Sequence, residues 1–293
     1  MDERDWLAAR FEEQRGRLRA VAYRMLGSVS EADDAVQEAW LRLDRADTGD
    51  IANLGAWLTT VVARICLNML RSREQRREDP IEVHVPDPII SRDDAISPEH
   101  EALLADSVGL ALLVVVQSLA PAERVAFVLH DLFGVPFDDI APMIDRSLAA
   151  TRQLASRARR RVQGQAPTPD PDLARQREVV DAFFAASRNG DFDALVSVLD
   201  PDIVLRSDGG AARPRMTFTL RGPNQVASQA ITSSKLSPFV RPALINGAAG
   251  VVVAAHGKAM FVMAFTVTGG AIAAIDVLAD PDRLREIDVS VLD

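Results

Sequence analysis

Arginines gather in two short stretches of an otherwise acidic chain. Residues 64–77 contain five arginines and one acid, and residues 152–161 contain five arginines and no acid, although the net charge of the whole chain is -9. Because phosphate responds to the local patch and not to the total charge, these stretches indicate two contacts with a polyanion. The alternative is that each stretch is only the solvated face of a helix.

The second arginine stretch lies on a predicted helix that begins with Ser147 as its N-cap and extends to residue 162. Its apolar side chains are spaced for burial along one face. The opposite face presents polar side chains, namely Arg152, Gln153, Ser156, Arg157, Arg159 and Arg160. Arg and Gln make bidentate contacts with guanine and adenine edges, and further arginines bind phosphates.

A short predicted helix over residues 137–144 precedes the basic helix, and a tight turn at Asp145 and Arg146 joins the two. Two short helices joined by a turn, the second of them basic, have the layout of a helix-turn-helix. A solvated helical hairpin of the kind found in bundles is the alternative. DNA binding in the major groove is the interpretation that explains why the second helix is basic.

The chain has one cysteine, Cys66, and four scattered histidines, so neither an intramolecular disulfide nor a cysteine-based zinc site is predicted. Cys66 falls in the middle of a predicted helix, where we expect an inert buried thiol. No metal and no cofactor are predicted.

The elements that carry these residues begin as an all-helical series. Period-3.6 spacing predicts three helices, over residues 6–26, 30–43 and 55–77. Gly27 ends the first helix as a C-cap, and Ser30 with Asp33 resembles a capping box that opens the second.

Beyond the third helix the pattern changes twice. Residues 79–102 lose the helical period and gain prolines and acids, which is typical of a linker, and helices resume over residues 103–163. A proline-rich second linker covers residues 164–171. Two helical stretches then precede β-rich runs, with helices over 173–188 and 192–199 and strands over 203–206, 216–220, 250–255, 259–267 and 271–278.

The composition, 48% hydrophobic and 26% charged over 293 residues, is that of an ordinary globular protein of about two domains. The longest apolar stretch, residues 108–116, is shorter than the roughly 20 residues that a membrane span needs. The N-terminus has neither the basic nor the apolar region of a secretory signal. We therefore expect a cytoplasmic protein without a membrane partner.

Four segments resemble an extracytoplasmic-function (ECF) RNA polymerase sigma factor. Residues 22–43 are similar to the family's region 2 core and residues 56–68 to its promoter-melting helix, while residues 136–141 and 149–162 resemble region 4. Asp145 stands where the family usually has a turn glycine, and Asp tolerates the left-handed conformation. The resemblance implies a protein that directs core RNA polymerase to promoters by recognising the minus-35 element and melting the minus-10 element.

The C-terminal part resembles the SnoaL-like (NTF2-like) domain fused to one subgroup of these factors, through Asp-Gly-Gly-Ala-Ala-Arg at 208–213 and Asp-Pro-Asp-Arg-Leu at 280–284. The implied fold class is multidomain, with two all-α domains, a region 2 bundle and a region 4 helix-turn-helix, followed by an α+β NTF2-like cone. The predicted boundaries are residues 1–78 for region 2, 79–102 for a linker, 103–163 for region 4, 164–171 for a second linker and 172–293 for the SnoaL-like domain.

The resemblance also assigns roles to four groups of residues. The polar face of the second helix binds RNA polymerase through Asp33, Asp34, Gln37, Glu38 and Arg42. The third helix and the loop before it, with residues 47–54 as a candidate pocket for an extruded base, contact minus-10 DNA through Asn53, Trp57, Arg64, Asn68, Arg71 and Gln75. The basic helix contacts minus-35 DNA through Ser147, Arg152, Gln153, Ser156, Arg157, Arg159 and Arg160. Contacts between domains involve Asp208, Gly209, Gly210, Arg213, Asp280, Pro281, Asp282, Arg283 and Leu284.

The partners implied are core RNA polymerase, through its β′ clamp helices and β flap, and promoter DNA, while a small ligand of the C-terminal domain is left open. The C-terminal domain is expected to modulate activity in cis, with acids of the linker pairing with Arg213 or Arg283. Asp208 precedes two glycines, so a turn explains it without chemistry, whereas Asp276 could face the interior of the cone.

Two other classes of protein stay open on the residues alone. A helix-turn-helix transcription regulator with an NTF2-like ligand-sensing domain would bind duplex DNA tightly without polymerase. An NTF2-like enzyme with a nucleic-acid-binding extension would require Asp208 or Asp276 for turnover. We expect a factor that is not an enzyme.

Overall fold

The structure is a computed structural model, and it describes residues 3–46, 51, 53–76, 83–91, 109–287 and 289–292. Contacts divide these residues into two units. The first holds the described residues up to position 76 together with residues 115–165, and the second holds residues 83–91, 109–114 and the described residues from 166 onward. No helix among the described residues is long and apolar enough to cross a membrane.

Seven helices lie before residue 166 in the described part of the chain. They are α1 (Glu3–Leu26), α2 (Val29–Leu43), α3 (Leu54–Arg76), α4 (Leu110–Gln117), α5 (Pro121–Phe127), α6 (Phe137–Met143) and α7 (Leu148–Gln165). Small and aliphatic side chains let α1, α2 and α3 approach closely, and the buried face of α2 consists of Ala32, Ala35, Val36, Ala39 and Leu43. The all-helical character predicted for this part is confirmed.

The ends of α1 and α2 test the predicted caps. Gly27 adopts a left-handed φ of 72° and donates its N–H to the carbonyl of Tyr23 at 2.8 Å, as predicted for a C-cap. The predicted capping box is wrong, because α2 begins at Val29 and makes no side-chain cap bond. The Asp33 carboxylate instead accepts from Arg19 on α1 at 2.6 Å.

The helix-turn-helix begins with Pro121 in the first turn of α5, where its missing N–H costs no helical bond. After α5 the chain widens into a π-helical turn, Val128–Leu132, and Gly134 then takes a φ of 67°. Asp145 adopts a φ of 55° between α6 and α7, so an aspartate does occupy the left-handed turn position. Ser147 caps α7 by accepting from the N–H of Ala150 at 3.2 Å.

A seven-stranded sheet forms the second unit, in the order β1-β4-β5-β6-β7-β2-β3. The strands are β1 (Ile90–Ser91), β2 (Leu199–Asp208), β3 (Phe218–Arg221), β4 (Val240–Ile245), β5 (Ala248–Ala255), β6 (Lys258–Thr268) and β7 (Ala271–Leu278). All neighbours pair antiparallel except β2 and β7, which are parallel. The α+β class predicted for this part is confirmed.

Four helices accompany the sheet, namely α8 (Leu173–Asn189), α9 (Phe192–Ser197), α10 (Pro223–Thr232) and α11 (Pro281–Leu284). Residues of α8, α9 and α10 pack with Phe265 and Ile275 of the sheet in one hydrophobic core. The predicted helix 192–199 is too long, because Leu199 already belongs to β2 and pairs with Ile272.

Two tight hairpins connect strands β4, β5 and β6 of the sheet. Asn246 and Gly247 join β4 to β5, and His256 and Gly257 join β5 to β6. All four residues have positive φ, between 50° and 77°, which is the conformation of a two-residue type I′ turn. Glycine at the second position of each turn lets the strands continue without a steric clash.

Candidate functional site

Helix α7 separates a buried face from a basic face. The buried residues are Thr151, Ala155, Ala158 and Val162. The exposed residues are Arg152, Gln153, Ser156, Arg157 and Arg160, together with the cap residue Ser147. The predicted orientation of this helix is therefore the one observed, and five of the seven predicted minus-35 residues form a continuous outward surface on it.

Arg159 differs from its neighbours because it lies against the π-helical turn. It is half-buried and forms an ion pair with Asp131 at 2.6 Å, and this hydrogen bond and the charge of Asp131 raise the pKa of the Arg159 guanidinium. The pair joins α7 to the chain after α5. A phosphate contact by Arg159 would compete with this internal bond.

The predicted minus-10 residues of α3 lie on one side of the helix at spacings of three and four. Arg64, Asn68 and Gln75 are exposed and Arg71 is half-buried. Arg64 donates from Nη2 to the carbonyl of Pro142 at 3.0 Å, within the first unit. This bond uses one of the five N–H donors of the guanidinium, so the exposed Arg64 side chain keeps donors for DNA.

Two residues near the start of α3 have structural partners. Asn53 Oδ1 accepts from the N–H of Ala56 at 3.0 Å, which is an N-cap interaction, and Trp57 is half-buried. Of the predicted extruded-base pocket, positions 47–50 and 52 lie outside the described residues.

Cys66 is fully buried on α3, and this burial raises the pKa of its thiol to about 12 although a backbone hydrogen bond lowers it. The predicted burial of this thiol is confirmed, and its raised pKa disfavours the reactive thiolate. The described residues contain no group of three or more His, Cys, Asp or Glu side chains that could hold a metal ion.

The polar face of α2 is exposed, and two of its acids are in ion pairs. Asp33 pairs with Arg19, and Glu38 accepts from Arg42 at 3.0 Å one turn along the helix. Asp34 and Gln37 point away from the buried face of α2 and are exposed. All five predicted polymerase-binding residues therefore lie on the accessible side of this helix.

In the second unit, the end of β2 places Asp208 at the centre of a hydrogen-bonded cluster. The side chain is 2% exposed. Its two oxygens accept from the backbone N–H groups of Val85 and Gly210, each at 3.0 Å, and from Arg283 Nη1 at 3.0 Å. The Nδ1 atom of His84 lies 3.4 Å away. The predicted turn at Asp208 is present, but the same carboxylate also holds the linker.

Opposing effects act on the Asp208 carboxyl. Burial raises its pKa, whereas hydrogen bonds from His84 and the Val85 N–H, with the charges of His84 and Arg283, lower it. The net result is a pKa below the usual value, so the group is ionised at neutral pH.

Arg283 on α11 completes the cluster from the other side. Its guanidinium donates to Asp87 at 2.8 Å and to the carbonyl of Val85 at 2.6 Å, in addition to Asp208. The predicted pairing of a linker acid with Arg283 is confirmed. Arg213, the alternative partner, donates to the carbonyl of Ala279 at 3.2 Å, and no pairing of Arg213 with an acid of residues 83–91 is observed.

The remaining predicted residues of this group shape the backbone around the cluster. Asp280 caps α11 by accepting from the N–H of Asp282 at 2.9 Å, and Leu284 is buried. A Cβ atom on Gly210 would lie 2.1 Å from Asp280 Oδ2, and one on Gly209 would lie 2.1 Å from the Arg213 carbonyl oxygen. Both glycines are therefore required by close packing. Pro281 occupies the first turn of α11.

Residues 83–91 continue along the sheet as part of the second unit. Ile89 exchanges hydrogen bonds with Asn246, at 2.8 Å to the Ile89 carbonyl and 3.1 Å from the Ile89 N–H, and β1 then pairs with β4. The apolar side chains of this segment are buried, namely Val83, Val85, Ile89 and Ile90. These residues were predicted only as linker. Their four apolar side chains were a signal for burial of the segment, but not for where it docks.

Asp276 does not face the interior of the sheet domain, which corrects the expectation for it. Its neighbour Val277 and the β2 residues Leu205 and Ser207 line the interior cavity. Asp276 and Arg206 pair with each other across β7 and β2, one position away from these cavity-lining residues. Because successive residues of a strand point to opposite faces, the two lie on the other face of the sheet, where they form an ion pair at 2.6 Å. The carboxylate has a structural partner and no access to the cavity.

Comparisons with known proteins match these regions in the same order. Residues 11–77 match the family Sigma-70 region 2, and residues 109–162 match the family Sigma-70, region 4. The ECF RNA polymerase sigma factor SigJ of Mycobacterium tuberculosis is 40% identical over 287 residues, covering 93% of this chain and 91% of the relative. SigI of the same species is 36% identical over 293 residues, covering 97% of each chain.

A solved structure extends the match to the three-dimensional fold. The crystal structure of M. tuberculosis SigJ is similar with a TM-score of 0.78 at 36% identity, covering 94% of this chain and 97% of the other. The likeness thus includes both helical regions and the C-terminal sheet domain.

Proposed function

The chain belongs to the ECF RNA polymerase sigma factor family. On this premise we propose which of its exposed faces contact the promoter and which contact core polymerase. Sigma factors bind core RNA polymerase and promoter DNA, and the fold here is two sigma helical regions followed by an NTF2-like domain. This membership favours a transcription initiation factor over a free-standing helix-turn-helix regulator.

Helix α7 reads the minus-35 element in this proposal. The observation that carries it is the outward face of α7, where Arg152, Gln153 and Arg157 are exposed on a helix whose other face is buried. Arg and Gln near the N-terminus of a recognition helix reach base edges, while the arginines further along reach phosphates.

Helix α3 contacts the minus-10 element. Arg64, Asn68 and Gln75 provide a cationic and amide-bearing surface, which suits the phosphates and unstacked bases of a melted strand. Asn53 and Trp57 contribute from the start of the helix, where Asn53 is exposed and Trp57 is half-buried.

The exposed face of α2 binds the β′ clamp helices, and the helix-turn-helix region contacts the β flap. Asp34 and Gln37 are exposed at the centre of the α2 face, and charged side chains at such a surface set orientation and association rate. Promoter recognition takes place where core polymerase and DNA are, which supports the cytoplasm as its location.

The C-terminal domain acts in cis and not as an enzyme. No charged side chain lines its cavity among the described residues, and Asp276 lies on the other face of the sheet. Instead, the domain holds residues 83–91 of the segment that joins region 2 to region 4. Because that segment is the covalent connection between the two DNA-binding regions, holding it restricts how far they can separate.

Run-off transcription with purified core polymerase, on the promoter upstream of the chain's own gene, tests the proposal. We expect specific transcripts from wild type and weak binding of free duplex DNA by the protein alone. Asp34→Lys on the exposed α2 face should weaken core binding about tenfold. Glu12→Ala, an exposed change on α1, is the control. Equal transcription by the two variants, or tight promoter binding without polymerase, contradicts the proposal.

A further inference from the structure

A cavity of about 110 Å³ opens inside the C-terminal domain between the sheet and helices α8 and α10. Twelve of its seventeen lining side chains are apolar, and the other five are serines or glutamine. Phe183 and Phe184 of α8 face Phe218 and Phe261 of the sheet across it. A cavity this apolar disfavours charged occupants because their desolvation is not compensated.

The volume sets the size of an occupant. An engineered apolar cavity of about 150 Å³ in another protein binds benzene, and the cavity here is somewhat smaller. A single ring with at most a small substituent is therefore the right scale.

One hydroxyl in the cavity is left unsatisfied. Ser207 is 1% exposed, and its Oγ has no hydrogen-bond partner among the described residues. Two other polar lining residues are occupied, because Ser187 donates to the carbonyl of Ala230 at 2.9 Å and Gln229 donates to Ser233 at 3.1 Å. A buried hydroxyl without a partner loses the hydrogen bonds that it would make in water, and a ligand acceptor would restore one of them.

We infer that this cavity binds a small, uncharged, mainly apolar molecule whose single acceptor group, such as a carbonyl oxygen, takes a hydrogen bond from Ser207. The apolar walls supply most of the affinity, and the Ser207 hydroxyl orients the ligand. The absence of charged lining side chains in the described structure selects against carboxylates and amines of the same shape.

Acetophenone, α-methylstyrene and benzoate are suitable probes because they share one shape. The first has a carbonyl acceptor, the second replaces it with a CH₂ group, and the third is an anion. Saturation-transfer difference NMR and titration with the purified full chain should show binding of the first two and none of benzoate. Ser207→Ala should shift the affinity ratio of acetophenone to α-methylstyrene by about fivefold against the ketone.

Ser228→Ala, an exposed serine on the outer side of α10, is the matched control and should leave the ratio unchanged. Ala230→Phe fills the cavity from α10 and should abolish binding of both neutral probes. If circular dichroism shows that Ala230→Phe is not folded, Val253→Phe, which fills the cavity from the sheet, is used in its place. Failure of acetophenone to bind, binding of benzoate at equal strength, or an unchanged ratio in Ser207→Ala overturns the inference. The assay contains neither polymerase nor DNA, so its outcome is separate from that of the proposed function.

Discussion

At the scale of single residues, Asp208 joins two segments of the chain that are far apart in sequence. Its side chain is 2% exposed, and donors from Val85, Gly210 and Arg283 replace the water that an ionised carboxylate loses on burial. Removing one member of a buried charged set leaves the others uncompensated, which costs about 3 to 5 kcal/mol. We therefore expect the hydrogen bonds that hold the linker at Asp208 to be lost together when one partner is removed.

We predict that Asp208→Asn destabilises the C-terminal domain by about 3 kcal/mol at neutral pH and flattens its pH dependence. The folded pKa of Asp208 is lowered. Its contribution to the free energy of unfolding is thus fully present above the unfolded pKa of about 3.9 and is lost as the pH falls through the folded pKa. Thermal unfolding of the full chain between about pH 3 and pH 7 measures both effects.

Asp202→Asn is the control for this measurement, since Asp202 is an exposed carboxylate on the same strand. It should follow the wild-type curve. Parallel curves for Asp208→Asn and wild type over the whole range would contradict the assigned role of the buried carboxylate.

At the scale of elements, local signals predicted some parts of the fold and missed others. Helices α1, α3 and α7 could be predicted closely, because their apolar period is long, and Gly27 and Ser147 mark the end of α1 and the start of α7. Strand β4 was missed although Asn246 and Gly247 form the strongest short hairpin signal. Strand β1 could not be found locally, since it has two residues and exists only through pairing with β4.

Helix α7 gives a prediction about selectivity. Arg152→Ala or Gln153→Ala should cost about 1 to 3 kcal/mol and relax preference at one or two minus-35 positions. Arg160→Ala should weaken all promoters alike and reduce the salt slope by about one, because it is placed for phosphate contact. Transcription from a promoter library at several salt concentrations separates the two effects.

Arg159→Ala is an informative comparison because its guanidinium is paired with Asp131 inside the helix-turn-helix. It should lower thermal stability in addition to any change in DNA binding. Identical selectivity profiles for Arg152→Ala and Arg160→Ala would show that the faces of α7 are assigned wrongly.

At the scale of the whole molecule, the order of the domains could be predicted from motifs, whereas the route of the linker could not. The bonds that fix residues 83–91 join residues that are far apart in the sequence. Val85 and Asp208 are separated by 123 residues, and Val85 and Arg283 by 198. Such long-range contacts leave no periodic trace in the sequence. The sequence did supply the charges, so a pairing of the acidic linker with Arg283 was predictable while the strand pairing of β1 was not.

A tethered domain competes for its own linker at an effective concentration near millimolar, so even a modest contact is populated. Arg283→Ala removes two direct contacts with the linker, those with Asp87 and the Val85 carbonyl, and also the bond to Asp208, whose carboxylate accepts from the Val85 N–H. We predict that it accelerates amide hydrogen exchange at Val85 and Ile89 by at least about tenfold, as expected for a loss of more than about 1.4 kcal/mol. Release of the linker removes one restraint on the separation of the two DNA-binding regions, so run-off transcription should rise while affinity for core polymerase stays unchanged. Arg285→Ala, an exposed arginine just after α11, should change neither quantity. Faster exchange without a rise in transcription would refute modulation through the linker, and unchanged exchange would refute the role of Arg283 in holding it.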